Sequence, residues 1–107
     1  MKLTRKEALE FHRRMWTDMQ NELGDTPSEH DREHFKREWC AKHFSNDEVD
    51  SYCFLCAYDD QFGEDCLHCP IDWSNGGNDH WGCLYGEIRY DLSSISAILA
   101  LPVREDV

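Results

Sequence analysis

The chain has 107 residues and sets 22 Asp and Glu against 11 Lys and Arg, for a formal net charge of −11. That length predicts one domain, and a hydrophobic content of 40% is too rich for a disordered chain. No run approaches the roughly 18 apolar residues of a membrane span, and the opening MKLTRKEALEFHRRMW lacks the apolar core of an export signal, so a cytoplasmic chain is expected.

Thr4 and Glu7 form a T-x-x-E capping box, with Leu3 placed to staple onto Ala8. Ala8, Leu9, His12, Met15, Trp16, Met19 and Leu23 then recur at helical spacing until Gly24 supplies a stop. Thr26-Pro27-Ser28-Glu29 predicts a second start with Thr26 as N-cap, leading to a helix that ends near Lys42 or Phe44. Phe35, Trp39 and Cys40 are its expected inner face, and the short linker predicts an antiparallel helical hairpin over residues 1–45. From Asn46 to Asp79 the helical period disappears, and residues 46–90 are expected to form an acidic metal-bound loop module. Residues 91–102, with Leu92, Ile95, Ile98 and Leu99 on one face, predict a short C-terminal helix. The predicted fold is therefore mainly α, in a single domain over residues 1–107.

The strongest chemical pattern is Cys53-Phe-Leu-Cys56 followed by Cys66-Leu-His-Cys69. Two residues between cysteines let one tight turn aim both sulfurs at a single ion, and two such turns complete a tetrahedron. In a reducing compartment such pairs read as metal ligands rather than disulfides. Zinc on Cys53, Cys56, Cys66 and Cys69 is the expected centre, with Cys83, His68 and His80 as rival ligands. Cys40, although part of a C-x-x-H with His43, reads as a small buried hydrophobe. Iron uses the same donors, but Ala57 and Ile71 stand where the rubredoxin pattern has Pro and Gly. Four thiolates leave no open position for water, so the zinc is expected to be structural and the protein not an enzyme.

His30, Glu33 and His34 match the H-x-x-E-H metallopeptidase pattern, yet they fall in a charged first turn with little chain left for a cleft. Arg13, Arg14, Lys2, Arg5 and Lys6 alternate with Glu7, Glu10 and Asp18, as on a solvated helix face. The charge map is more one-sided further on. Residues 1–42 balance nine bases against nine acids, whereas residues 43–107 set thirteen acids against Arg89 and Arg104. Asp47, Glu48, Asp59, Asp60, Glu64 and Asp65 surround the cysteines and predict a docking surface for a basic partner. Trp73, Trp81, Tyr52, Phe54 and Tyr58 lie in the same region, where one or two left exposed would anchor an interface. Nucleic-acid-binding zinc modules carry the opposite charge around the metal, so direct nucleic-acid binding is the second reading.

The stretch YCFLCAYDDQFGEDCLHCPIDW over residues 52–73 resembles small cysteine-rich proteins of phages and prophages of Gram-positive bacteria. Cys83-Leu-Tyr-Gly, ILALPVR and the helix containing FHRRMW are similar to the same group. The resemblance implies a phage accessory protein acting in the host bacterial cytoplasm, with a metal role for Cys53, Cys56, Cys66 and Cys69 and Cys83 as a participant. By analogy with small acidic phage inhibitors, the leading expectation is a protein that occupies the basic groove of a host defence enzyme. An anti-CRISPR against a Cas9-type nuclease is the first candidate.

Overall fold

The computed structural model describes residues 2–44, 53–63, 68–75, 83, 88–90 and 93–105, and these are mainly helical. Helix α1 spans Arg5–Leu23. Thr4 Oγ1 accepts the Glu7 N–H at 3.1 Å, and Glu7 Oε1 accepts the Thr4 N–H at 3.0 Å, which closes the capping box. The Gly24 N–H returns to the Gln20 carbonyl, and its φ of +89° is one that a side chain would strain. One face of α1 buries Ala8, Leu9, His12, Met15, Trp16 and Met19.

Helix α2 spans Glu29–His43 and starts two residues later than Thr26 and Pro27 suggest. Ser28 is its N-cap, because its Oγ takes the Asp31 N–H at 3.2 Å, and Pro27 is left outside with its carbonyl accepting from Arg32 Nε at 3.1 Å. Trp39 and Cys40 are buried as expected, and Phe35 is half-buried. Arg32 and Lys36 are buried as well, which their charge did not suggest. Trp39 Nε1 donates to Asp18 at 2.8 Å, and Phe44 meets Phe11 edge-on at 5.2 Å.

A third helix, α3 (Phe54–Asp59), forms where a loop was expected. Cys53 is its N-cap, its sulfur accepting the Cys56 N–H at 3.4 Å. The two residues inside this C-x-x-C pair are core anchors: Phe54 and Leu55 are fully buried. Phe54 packs between Phe11 at 5.3 Å, Phe44 at 5.5 Å and Trp39 at 5.7 Å, joining α3 to both longer helices. A six-residue helix is too short to persist in isolation, so this burial is what holds it.

Helix α4 covers only Ile95–Leu99, inside the longer 91–102 expectation. Ser94 caps it, and Asp25 clasps its first turn from the α1–α2 linker. Asp25 Oδ1 accepts the Ser96 N–H at 2.7 Å, Oδ2 accepts Ser96 Oγ at 2.9 Å, and the Asp25 carbonyl accepts the Ile95 N–H at 2.9 Å. These bonds satisfy donors that a helix start leaves open. Beyond α4, Ile71 and Val103 form an antiparallel bridge, flanked by Asp72 N–H to the Pro102 carbonyl and Arg104 N–H to the Pro70 carbonyl. Among the described residues no helix is long and apolar enough to cross a membrane.

Candidate metal centre

Cys53, Cys56, Cys69 and Cys83 line one small recess beside α3, together with Leu55, Asp59 and Trp73. Its free space is about 20 Å³, room for a single ion or water molecule. Each cysteine arrives by a separate device. Cys53 and Cys56 are set by the cap and first turn of α3. Cys69 precedes the Pro70–Asp72 segment that pairs with residues 102–104, and its sulfur accepts from Trp73 Nε1 at 3.4 Å. Cys83 is held through its carbonyl, which accepts the Tyr90 N–H at 3.1 Å.

Three members of the expected set, Cys53, Cys56 and Cys69, thus meet at one place, while Cys66 lies outside the described residues. Cys83, the rival, is present at the recess. His68 is not part of the lining; its ring stacks on Phe62 at 4.9 Å. His80 lies outside the described residues. Among the described residues, no three His, Cys, Asp or Glu side chains stand in a ready metal-holding arrangement. The donor chemistry nonetheless fits zinc: four cysteines around a space of one ion's size, with the Cys56 and Trp73 N–H groups already directed at two of the sulfurs. Cysteine χ1 rotamers offer staggered alternatives that reposition a sulfur without moving the backbone.

Electrostatics separate the thiols. Hydrogen bonding from Cys56 holds the Cys53 thiol below its ordinary range, whereas Cys56 is pushed up by that same bond and by burial. Burial pushes Cys69 up to about 12. Cys40 sits apart from the recess, and burial raises it to about 11, in keeping with its reading as a small buried hydrophobe.

Asp59, expected at the docking surface, is only 4% exposed, lines the recess, and accepts the His68 N–H at 2.9 Å. Asp60 is half-buried, and Asp47, Glu48, Glu64 and Asp65 lie outside the described residues. Among the aromatics, Trp73 and Phe54 are buried, Tyr58 is half-buried, and Tyr52 and Trp81 lie outside the described residues. Among the described aromatics the exposed one is Phe62, at 51%. His30 and His34 project into solvent, where His30 lies 3.7 Å from Asp31 and His34 lies 3.1 Å from Glu38.

Sequence reasoning missed Lys36 and Tyr90. Lys36 Nζ lies 3.3 Å from the Tyr90 hydroxyl and 4.4 Å above its ring. Tyr90 is buried and packs edge-on against Trp16 at 5.0 Å. A basic residue at an α2 position facing aromatics at helical spacing was the available clue. Comparison with protein-family models, curated proteins and solved structures finds no match for this chain.

Proposed function

We propose that the chain is a non-enzymatic, zinc-stabilised binding protein that presents an acidic surface to a basic, nucleic-acid-handling partner and inhibits it. In this reading Cys53, Cys56 and Cys69 hold a structural zinc with Cys66 or Cys83 as fourth ligand, and the metal fixes the acid-rich segment between the helices and the C-terminal residues. The helical hairpin, the cysteine module and the short C-terminal helix act as one unit.

The observation that carries the partner reading is the unequal burial of charge. Arg32, Lys36 and Arg104 are buried, while Asp59 is the one buried acid among the described residues. The surface is therefore more acidic than a count of residues 1–42 implies, because two bases that balanced that count are inside. An open groove of about 760 Å³ between α1 and α2 is lined by Asp18, Glu22, Glu38 and Phe35, with Lys42 and His43 also in its wall. Such a groove suits Lys or Arg side chains of a partner. Phe62, exposed and two residues from Asp60, supports the reading as an aromatic side chain free to join an interface on the cysteine side.

The test is competition. The zinc-loaded protein should displace duplex DNA from a Cas9-type nuclease, less effectively as salt rises, and Phe62→Ala or Asp18→Lys should weaken it. Equal competition at low and high salt would remove the electrostatic reading. Direct binding of duplex or single-stranded DNA by the protein itself at low salt would favour a nucleic-acid-binding module instead.

A further inference from the structure

The groove between α1 and α2 has an aromatic lining as well as acidic walls. Phe35, Trp39 and His43 follow one another at four-residue spacing along α2, which places them in one row, and the Trp39 and His43 rings lie 4.1 Å apart. Trp39 is buried, and Phe35 is half-buried. Asp18 and Glu22 stand one turn apart on α1, and Glu38 joins them from α2. All three acids are exposed, and among the described residues no Lys or Arg forms an ion pair with any of them. Glu38 lies 3.1 Å from His34, on its own helix. Asp18 Oδ2 accepts the Trp39 indole N–H at 2.8 Å and so fixes that ring, while its second oxygen is left for another donor. Lys42 is the one Lys or Arg in the wall.

These features narrow the choice of occupant. Both walls are helices, whose backbone groups are bonded within each helix. An extended chain would find few main-chain partners there and would press its own unpaired N–H and C=O groups onto aromatic side chains. A helix arrives with those bonds already made. Two neighbouring helices also leave a valley that takes the side-chain ridge of a third. The carboxylates call for Lys or Arg beside that ridge, and the last turn of α2, which contributes Ala41 and His43 to the wall, adds the negative end of its dipole. The same field repels nucleic acid and anionic lipid.

We propose that the α1–α2 groove receives a basic amphipathic helix of a partner protein, with its apolar ridge on Phe35 and Trp39 and its Lys or Arg side chains against Asp18, Glu22 and Glu38. This rests on the reading that the chain acts by binding a basic partner, and it adds the place of contact and the secondary structure of what binds. It requires no metal: every residue it invokes lies on α1 or α2.

The test uses the full chain and a fluorescein-labelled peptide of about 16 residues, long enough to form a helix, built from Leu, Ala and Lys with Leu along one ridge and Lys on either side. Fluorescence anisotropy should show saturable binding that weakens as salt rises, and binding should shift the Trp39 indole N–H resonance, which reports from inside the groove. The same peptide with two central prolines should bind at least about tenfold more weakly. Phe35→Ala should lower affinity about tenfold, as loss of an aromatic anchor does. Asp18→Asn, Glu22→Gln and Glu38→Gln combined should lower it by about the same factor, and Asp18→Asn retains an oxygen to accept from Trp39. Glu10→Gln, Glu29→Gln and Glu33→Gln remove as many charges from exposed positions outside the groove and should change affinity less than about twofold. Equal weakening by the two triple variants would mean attraction by net charge alone and would overturn the proposal. A proline peptide that binds as tightly as the helical one would overturn it too. A chain that sediments as a dimer, with Phe35→Ala restoring the monomer, would give the groove to a second copy and overturn it likewise. Peptide bound in the groove without competition at the nuclease would remove the Cas9-type reading alone. Competition undiminished in the groove triple variant would remove the groove alone. Should Phe35→Ala fail to fold, the two triple variants decide, because all six positions are exposed.

Discussion

Helix α1 reaches the core along one continuous face, from Ala8 to Met19, whereas the region from Cys53 to Arg104 reaches it in pieces. The pieces are Phe54 and Leu55 on a six-residue helix, Ile71 and Trp73 on an extended segment, and Ile95 and Ile98 on a five-residue helix. Segments that short do not hold themselves, and each is tied by a cross-connection: Asp25 to α4, Gln61 just after α3 to the Leu3 carbonyl, and residues 70–72 to 102–104. The first region is specified by periodicity, the second by bonds between distant residues. They are not independent, because Lys36 and Arg32 extend from α2 to Tyr90 in the second region.

That contrast would be broken most forcefully by chelation, if the proposed zinc is what joins the cysteines. A structural zinc contributes on the order of 10 kcal/mol to folding in small modules, so a chelator should abolish the near-ultraviolet dichroism of the cysteine region while part of the α1 helical signal survives. An unfolding midpoint that a chelator leaves in place would mean the cross-connections suffice alone. Next in size, Trp16→Ala should cost about 3–5 kcal/mol in denaturant unfolding. Trp16 is fully buried and touches both regions, so the loss should appear in a single transition; two separated transitions would show that the regions unfold apart.

Acid should act through His12. Burial, with a smaller effect from Arg13, lowers its imidazole from 6.5 to about 3, so the fold holds it neutral. The unfolded chain takes up this proton near pH 6.5 and the folded one only near 3, so stability is full above 6.5 and falls as pH drops through that window. The slope is about 1.4 kcal/mol per pH unit for one proton. His12→Leu should flatten that part of the profile in urea melts; an unchanged slope would assign the acid sensitivity elsewhere. The smallest effect is expected at the α1 cap, where Thr4→Ala should cost about 1 kcal/mol without altering hydrogen exchange around the cysteines.

Much of α1 was legible because a cap, an apolar period and a glycine stop agree over nineteen residues. The α2 start was misplaced because Thr26-Pro27 and Ser28 offer competing caps, and only the Asp31 N–H position decides between them. Helix α3 was illegible for a different reason. Its six residues are shorter than the window in which helical periodicity can be read, and its cap is a cysteine. The cysteine spacing pointed to three residues that do share a recess and named Cys83 as a rival, yet it gave no sign of Asp59 lining that recess. Lys36 and Arg32 were read as ordinary charges, since what makes them interior is Tyr90, more than fifty residues away.

The bridge between Ile71 and Val103 has a consequence for how the protein is made. The backbone on either side of Ile71 is held by partners at residues 102 and 104, so the segment following Cys69 cannot settle while that stretch is still inside the ribosome. Helices α1 and α2 can begin to pair during synthesis. The cysteines, in contrast, spend the interval between translation of Cys53 and release of Arg104 without their final neighbours. During that interval they are open to whichever metal or oxidant the cell presents.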